Sequence, residues 1–376
     1  MLLTDDQQMI RDAVREFAQA ELWPHAARWD KEHHFPRDVH QGLAQLGAYG
    51  ICVPEEYGGA GLDYLSLALV LEEIAAGDGG TSTAISVTNC PVNAILMHYG
   101  NDAQKQKWLQ PLAHGEMLGA FCLTEPHVGS DASALRTTAT KQGDHYVING
   151  VKQFITSGKN GHMAIVIAVT DKTAGKKGLS AFIVPTDNPG YQVARLEEKL
   201  GQHSSDTAQI NFEACAIPAA NLIGAEGEGY KIALGALEGG RIGIAAQSVG
   251  MARSALEVAV QYAKERESFG TAIINHQAVG FRLAECATQI EAARQLIWHA
   301  ASLRDAGLPS LKEAAMAKLF ASEMAERVCS AAIQTLGGYG VVNDFPVERI
   351  YRDVRVCQIY EGTSDVQKIL ITRALM

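Results

Sequence analysis

The spacing of hydrophobic residues divides the chain into three regions, and the first of them is helical. From Thr4 to about His114, apolar residues recur three and four positions apart, as on one face of an amphipathic helix. The first run consists of Met9, Ile10, Ala13, Val14 and Phe17. Thr4, followed by Asp5 and Asp6, is typical of a helix start, because its hydroxyl can accept from a first-turn N–H group. We therefore predict a helical domain over residues 1–115.

Within this domain, the segment Tyr64–Ala76 is predicted to be a helix that residues 77–80 end, because they contain three glycines. The preceding segment, residues 54–59, contains a proline and two adjacent glycines, so it is predicted to be a loop.

Short apolar runs replace the helical spacing between residues 116 and 226. Residues 164–169 and 181–184 are rich in β-branched side chains and lie between turn-forming residues, which is typical of strands. The dipeptide Asn149-Gly150 is predicted to form a hairpin turn, since both residues tolerate positive φ. The pattern predicts a β-domain over this region.

Helical spacing returns over residues 227–376. One long apolar face is formed by Ala245, Val249, Ala252, Leu256, Ala259, Val260 and Ala263. Its small alanines allow helices to approach closely, as they do in a bundle. Breaks are predicted at residues 307–309 and 337–340, where glycine and proline cluster.

Composition narrows the class of protein. The chain has 47% hydrophobic and 20% charged residues and a net charge of −10, which suits a globular protein and argues against nucleic acid as the main partner. Its seven cysteines are scattered and form no CxxC pair, so neither disulfides nor a metal site is expected. We find no signal peptide and no apolar run long enough for a membrane span. These features predict a cytoplasmic protein, or a mature mitochondrial matrix form.

Five short segments are candidates for chemistry, while the common phosphate-loop, nicotinamide and hydrolase motifs are absent from the sequence. They are Phe121–Asp131, Phe154–Gly158, Arg266–Gly270 with Gln277, Gln334–Gly340 and Ile359–Asp365. Each segment taken alone is weak, because glycine-rich loops and isolated polar residues are usually structural. Their order and spacing together are much more specific.

Together these segments resemble the acyl-CoA dehydrogenase family, and the match runs through the whole chain. The resemblance rests on the sequences PEEYGG, LTEPHVGSD, FITSG, RESFG, QTLGGYG, PVERIYRD and IYEGTSD. The short-chain branch is the most similar, through GRIGIAAQ at residues 240–247 and IYEGTS at 359–364. The resemblance implies a mainly α fold with a central β-domain: an N-terminal helical domain, a middle β-barrel-like domain and a C-terminal four-helix bundle.

The resemblance also implies FAD as the cofactor, with residues from five segments of the chain around it. The expected flavin contacts are Phe121, Leu123, Thr124, Gly129, Ser130, Phe154, Ile155 and Thr156. Arg266 and Gln277 are expected to bind the pyrophosphate and adenine portion from a neighbouring subunit. The other cofactor contacts expected from this part of the chain are Phe269, Gln334, Leu336, Gly337 and Gly338, of which residues 334–338 should approach the cofactor across the same interface. Contacts from the last helix are Thr363, Ser364 and Asp365.

The remaining roles implied by the resemblance concern acyl-CoA. Glu361 is expected to be the catalytic base that takes the α-proton of the acyl thioester, while a hydride leaves for the flavin. Substrate contacts are expected from Ser130, Glu238, Arg241 and Gly362, with Arg241 near the CoA moiety. The implied assembly is a homotetramer, a dimer of dimers, that passes electrons to an electron-transferring flavoprotein. The alternatives are an acyl-CoA oxidase of the same fold and a non-catalytic binding protein.

Three departures from the family pattern are visible. Phe154 stands where relatives commonly have tryptophan, so the redox partner could dock differently. Gly240 occupies the position where certain relatives place their base, which leaves Glu361 as the only candidate here. The pair His127-Val128 replaces residues that are often Gly-Ala, in a loop that bears on the acyl pocket.

Overall fold

A computed structural model of the protein describes residues 2–376, and its first region is helical as predicted. The helices are α1 (Asp5–Phe17), α2 (Ala26–Glu32), α3 (Arg37–Gln45), α4 (Tyr64–Gly77), α5 (Gly79–Val87), α6 (Ala94–Tyr99), α7 (Asp102–Gln104) and α8 (Gln110–Ala113). The π-helical segments Ala18–Leu22, Thr88–Asn93 and Lys105–Leu109 extend α1, α5 and α7. A single 3₁₀ turn, Glu55–Tyr57, lies in the predicted loop.

The predicted start of α1 is confirmed, but its predicted apolar face is only partly buried. The Thr4 hydroxyl accepts from the N–H of Gln7, and the Gln7 side chain accepts in turn from the N–H of Thr4. Val14 is fully buried, whereas Met9 is 67% exposed, because it lies on the outer edge of the helix face. The predicted break after α4 is shorter than expected: α5 begins at Gly79, and Asp78 caps it.

The middle region is an eight-stranded sheet. Its strands are β1 (Gly119–Cys122), β2 (Thr138–Gln142), β3 (His145–Thr156), β4 (Met163–Val169), β5 (Leu179–Pro185), β6 (Tyr191–Leu196), β7 (Thr207–Pro218) and β8 (Leu222–Ile223). They lie in the order β6-β7-β3-β2-β4-β5-β8, and β1 pairs with β4 in parallel. Both predicted apolar runs are confirmed as strands, β4 and β5, and almost all of their side chains are buried.

The predicted hairpin turn at Asn149-Gly150 is wrong. Both residues lie inside β3, and the turn that joins β2 to β3 is formed by Gly143 and Asp144. Gly150 is needed because the pairing of β3 with β7 is irregular there and its φ is 150°. A Cβ at this position would lie 2.5 Å from the Thr137 hydroxyl oxygen, so the glycine serves close packing and not a turn.

Three long helices dominate the last region. These are α9 (Gly229–Glu265), α10 (Gln277–Asp305) and α11 (Leu311–Leu336), followed by α12 (Val347–Val354) and α13 (Ser364–Leu375). A two-stranded hairpin, β9 (Glu267–Ser268) and β10 (Thr271–Ala272), connects α9 to α10. Helix α9 packs against α10, α11 and α4, so the N-terminal and C-terminal helices share one core. None of the helices described in residues 2–376 combines the length and apolarity that a membrane span requires.

Candidate active site

The segment that carries Glu361 lies between two regular elements, and its own backbone conformation is strained. It follows a 3₁₀ turn, Arg355–Gln358, and precedes α13, which the Thr363 hydroxyl caps by accepting from the N–H of Val366. Glu361 has φ 55° and Gly362 has φ 91°, so both lie in the left-handed region, which is unfavourable for glutamate. The side-chain amide of Gln367 donates to the carbonyls of Glu361 (3.2 Å) and Gly362 (2.8 Å) and stabilises this conformation.

The carboxyl group of Glu361 faces α9 at Gly240. A Cβ at Gly240 would lie 2.8 Å from Oε2 of Glu361, so the missing side chain leaves the space that the carboxyl occupies. Oε2 is buried and has no hydrogen-bond partner among residues 2–376. Burial raises the pKa of Glu361 to about 7, against the opposing effect of the positive charges of Arg241 and Lys318. The result is a carboxyl group that is ready to exchange a proton near neutral pH.

Arg241, an expected substrate contact, lies close to this carboxyl group. Its side chain is only 5% exposed, and its Nε and Nη1 atoms have no partner within the described chain. Burial lowers the pKa of Arg241, and the charges of Glu361 and Glu238 oppose this effect. Arg241 therefore contributes to the electrostatic environment of Glu361, and its expected contact with acyl-CoA stays a prediction.

Glu238 is half-buried one residue before the Gly239-Gly240 pair. Its carboxylate accepts from the Ser310 hydroxyl at 2.7 Å and lies 3.6 Å from the Arg304 guanidinium. Arg304 in turn lies over the ring of Tyr64, 4.3 Å from its centroid. Glu238 therefore lies close enough to act on Arg241 but already has protein partners, and its expected contact with the substrate stays a prediction.

Tyr360, the residue before the base, is the centre of a polar network that sequence reasoning missed. Its hydroxyl lies 3.3 Å from Gln247 Oε1, 3.4 Å from Gln202 Nε2, 3.5 Å from Thr83 Oγ1 and 3.3 Å from Cys357 Sγ. Three of these partners, Thr83, Gln202 and Gln247, come from distant parts of the chain, so no local motif could have indicated them. The network fixes the position of the Glu361 segment relative to α5, α9 and the β6–β7 loop.

The flavin contacts predicted in residues 121–130 and in residues 154–156 meet at the ends of β1 and β3. The N–H of Gln153 donates to the carbonyl of Thr124 at 2.9 Å, so residues 121–130 and 154–156 form one continuous surface. Phe154 projects from this surface with φ 60° and is 62% exposed. Gly129 and Ser130 are exposed, and a Cβ at Gly129 would meet no atom within 4 Å. The surface is open and partly apolar, as the face of a flavin ring requires.

A buried ion pair holds the backbone of this surface in place. The sequence did not predict this pair. Lys152 is completely buried, and its ammonium group donates to Glu125 and to the carbonyl of Leu123, both at 2.9 Å. Glu125 also accepts from the N–H groups of Arg136 and Thr137. Lys152 lies between Val151 and Gln153, so the sequence gives no sign that its side chain is buried.

Two predicted cofactor contacts have buried side chains. The side chains of Ile155 and Leu336 are 1% and 3% exposed and belong to the cores of the sheet and the bundle. Their inward direction follows from the alternation of β3 and from the apolar face of α11. Only their backbone atoms are available to a cofactor. Phe121 is partly buried and packs against the core beneath the sheet.

The remaining predicted cofactor residues lie on the helical bundle and form a second exposed surface. Arg266, Phe269, Gln277, Gln334, Gly337 and Gly338 are all exposed. Phe269 is 97% exposed, and a Cβ at Gly337 or Gly338 would meet nothing within 4 Å. Thr363, Ser364 and Asp365 lie apart from this group, at the start of α13. No cluster of His, Cys, Asp or Glu that could hold a metal ion is found in residues 2–376, and all seven cysteines are free thiols.

Comparison with protein families gives a match in each of the three regions. Residues 4–116, 120–215 and 227–376 match the N-terminal, middle and C-terminal domain models of acyl-CoA dehydrogenase. The chain belongs to the acyl-CoA dehydrogenase family. It is therefore an FAD-dependent oxidoreductase that acts on a CH–CH group, and the predicted family fold is confirmed.

Individual relatives match over the full length of the chain. The short-chain specific acyl-CoA dehydrogenase of rat mitochondria is 45% identical over 374 residues, covering 100% of this chain and 91% of the relative. An acyl-CoA dehydrogenase of Bacillus subtilis is 46% identical and covers 100% and 99%. The structure of butyryl-CoA dehydrogenase from Megasphaera elsdenii is 41% identical, with a TM-score of 0.97 and coverage of 100% and 99%. A chain from a structural study of the electron transferring flavoprotein of Acidaminococcus fermentans is 48% identical, with a TM-score of 0.98 and the same coverage.

Proposed function

We propose that this acyl-CoA dehydrogenase oxidises short- to medium-chain acyl-CoA thioesters to trans-2-enoyl-CoA, with Glu361 as the base. The observation that carries the proposal is the Glu361 carboxyl group, which is buried against Gly240 with one oxygen free of partners. An α-hydrogen of the substrate could occupy the position that this oxygen faces. Within the Glu361 site, the other side chains that carry charge beside this group, Arg241 and Lys318, are cationic and cannot accept the proton.

Burial is what makes this glutamate strong enough for the reaction. The α-hydrogen of a thioester is too weakly acidic for a solvated carboxylate, whose pKa is about 4.3. A pKa near 7 brings the carboxylate closer to the acidity of the substrate while leaving a substantial ionised fraction at neutral pH. The backbone N–H of Glu361 has no backbone acceptor in the described chain, and we propose that it donates to the thioester oxygen.

The residues present fit FAD at the surface formed by the ends of β1 and β3. The exposed ring of Phe154 can cover an aromatic system, and the exposed loop at Gly129 and Ser130 has room beside it. The Lys152–Glu125 pair keeps the backbone of Leu123 and Thr124 in place. When bound, FAD supplies the acceptor for the hydride that leaves the β-carbon.

We propose that the second exposed surface binds the FAD of a neighbouring subunit in a homotetramer. It carries Arg266 and Gln277 beside apolar side chains that are unusually exposed for a monomer, including Phe269 at 97%, Phe281 at 62% and Val341 at 69%. Contiguous exposed apolar surface of this kind usually marks a protein interface. Light scattering, together with loss of FAD on dilution to monomers, tests this assignment. A monomer that retains FAD would show that Arg266 and Gln277 act elsewhere.

The acceptor of the electrons is proposed to be an electron-transferring flavoprotein, in the cytoplasm or in a mitochondrial matrix. The names of the relatives support this assignment, since one is mitochondrial and one similar chain comes from a study of such a flavoprotein. Peroxide production at the full rate of turnover would instead identify an oxidase.

The proposed preference for C4 to C6 chains rests on relatives that are described as short-chain specific or as butyryl-CoA dehydrogenase. Each methylene that finds space in an acyl pocket contributes about 0.8 kcal/mol to binding, until the pocket ends. Specificity constants for a series of thioesters should therefore reach a maximum at short chains. Values that rise continuously up to C12 would contradict a short pocket.

The experiment that tests the base is Glu361→Gln, measured as flavin reduction by butyryl-CoA in a stopped-flow instrument. The amide preserves size and polarity but cannot accept the α-proton, so reduction should slow by about 10²- to 10⁴-fold. Butyryl-CoA should still bind. Glu257→Gln is the matched control, because this carboxylate on α9 is 63% exposed and pairs with Arg253. Reduction by Glu361→Gln at nearly the normal rate would mean that another residue is the base.

A further inference from the structure

Lys318 is a fully buried lysine in the middle of α11, one layer behind the base. Its side chain is 0% exposed and lies on the apolar face that also buries Ala314, Ala317 and Ala321. Among residues 2–376 no carboxylate comes within salt-bridge distance of its ammonium group. A buried cation is costly without a partner, so a lysine at this position calls for a functional reason.

The ammonium group of Lys318 contacts the strained segment that carries the base. Nζ donates to the carbonyl of Gly362 at 2.7 Å, and this carbonyl also accepts from Gln367. Two donors from two helices therefore hold one carbonyl, directly after a glutamate in the left-handed region. Without them, the segment would be free to relax toward more favourable backbone conformations and to carry the carboxyl group away from Gly240.

We propose that Lys318 is a positioning residue for Glu361: its ammonium group anchors the Gly362 carbonyl and keeps the neighbouring carboxylate in its ionised, proton-accepting form. This inference rests on the proposed role of Glu361 as the base. Lys318 need not touch the substrate, since it acts through the segment that it holds.

The charges around Glu361 support the electrostatic part of this role. Arg241 on α9 and Lys318 on α11 are the two cations that act on the carboxyl group, and both lower its pKa against the effect of burial. The thiols of Cys90 and Cys357 also lie nearby, and burial raises the pKa of each thiol, which keeps both neutral. Burial similarly lowers the pKa of Lys318 to about 8; Cys357, Glu361 and Glu323 oppose this effect, while the charge of Arg241 adds to it. Since the ionised carboxylate is the base, loss of the Lys318 charge must move the onset of activity to higher pH.

Two variants separate the charge of Lys318 from its hydrogen bond. Lys318→Gln removes the charge but keeps an amide donor for the Gly362 carbonyl, whereas Lys318→Met removes both. The measurement is the rate of flavin reduction by butyryl-CoA as a function of pH. In both variants the midpoint should rise by about one pH unit, which is a roughly tenfold loss of rate on the acidic side. Only Lys318→Met should also have a lower rate at the alkaline plateau, because only this variant lacks a donor for the Gly362 carbonyl.

A second readout is independent of turnover. Proton uptake on binding a redox-inert thioether analogue of butyryl-CoA can be measured by calorimetry in buffers of different ionisation enthalpy. Its pH midpoint should shift in the same direction in both variants. Lys231→Met is the control, because this lysine on α9 is 70% exposed and pairs with Glu228, which is assigned no role in the site. It should leave both pH profiles unchanged.

The outcomes distinguish this inference from the proposed function. If the pH midpoints of both Lys318 variants equal that of the unmodified enzyme while Glu361→Gln is inactive, Lys318 is not a positioning residue and the base assignment stands. If Glu361→Gln is active, the base assignment itself is wrong. If neither variant yields a folded protein that contains FAD, Lys318 serves the stability of the bundle, and the proposal is overturned.

Discussion

Gly240→Ala should damage catalysis without damaging the fold, and the expected size of the effect follows from three distances. The added Cβ would lie 2.8 Å from Oε2 of Glu361 and 3.0 Å from both its Cδ and Oε1. Ordinary van der Waals contact begins at 3.4 Å, so the carboxyl group must withdraw by about 0.4 to 0.6 Å. Misplacement of a reacting group by about 1 Å can cost on the order of 10²-fold in rate. We therefore expect flavin reduction to slow by about 10- to 100-fold.

The stability of the same variant should change little or even increase. The atoms that must move are the flexible end of a side chain, and alanine is favoured over glycine inside a helix by about 1 kcal/mol. Gly235→Ala provides a matched control on the same helix, because its Cβ would meet only the Tyr99 hydroxyl, at 3.5 Å. It should gain the same helical preference and keep the normal rate.

The assay combines stopped-flow flavin reduction by butyryl-CoA with thermal unfolding and the ratio of FAD to protein. Normal reduction by Gly240→Ala would refute the reasoning, because it would mean that the carboxyl group reacts from a position other than the one facing Gly240. Loss of FAD or a large drop in melting temperature would also count against it. Either result would show that the clash is not confined to the side chain of Glu361.

Two further predictions concern other buried charges and titratable groups. Lys152→Met leaves the Glu125 carboxylate buried without its cation, so the protein should lose about 3–5 kcal/mol of stability in denaturant unfolding and bind less FAD. The double variant with Glu125→Gln should recover part of the stability and part of the FAD content. Normal FAD content in Lys152→Met would contradict the role of this ion pair in supporting the flavin surface. Burial lowers the pKa of His40 to about 3, so the unfolded chain takes up this proton first, and stability should decline as pH falls below about 6.5, by up to roughly 1.4 kcal/mol per pH unit. His40→Gln should reduce that slope relative to the exposed His34→Gln, and equal slopes would contradict the assignment.

Local patterns were sufficient to predict most elements of the fold. Helix starts such as Thr4 and the breaks at residues 307–309 and 337–340 depend on neighbouring residues alone, and the structure confirms them. The hairpin at Asn149-Gly150 was wrong for the same reason: the dipeptide favours positive φ, but whether it forms a turn depends on β7 and on Thr137, which lie far away in the chain. A glycine that avoids a clash and a glycine that makes a turn look alike in sequence.

The candidate site shows the same division between local and long-range information. The resemblance led to Glu361 and Gly240, and the structure places these two residues against each other although 121 positions separate them. It did not lead to Lys152, Lys318 or the partners of Tyr360, because each of these acts through contacts between distant segments. For Lys318 the sequence contains one weak indication, a lysine on an otherwise apolar helix face, because a buried lysine needs a partner.

The acidity of Glu361 is set by effects that oppose each other, and none of them belongs to its own motif. Burial alone would favour the protonated form, which could not act as a base at neutral pH. Arg241 and Lys318, from two different helices, restore ionisation without forming a close salt bridge that would hold the carboxylate too firmly. A solvated glutamate would be too weak a base, and one in direct contact with arginine would be weaker still. The pKa that suits the reaction lies between these limits. The positions of Arg241 and Lys318 are therefore as important to the reaction as Glu361 itself.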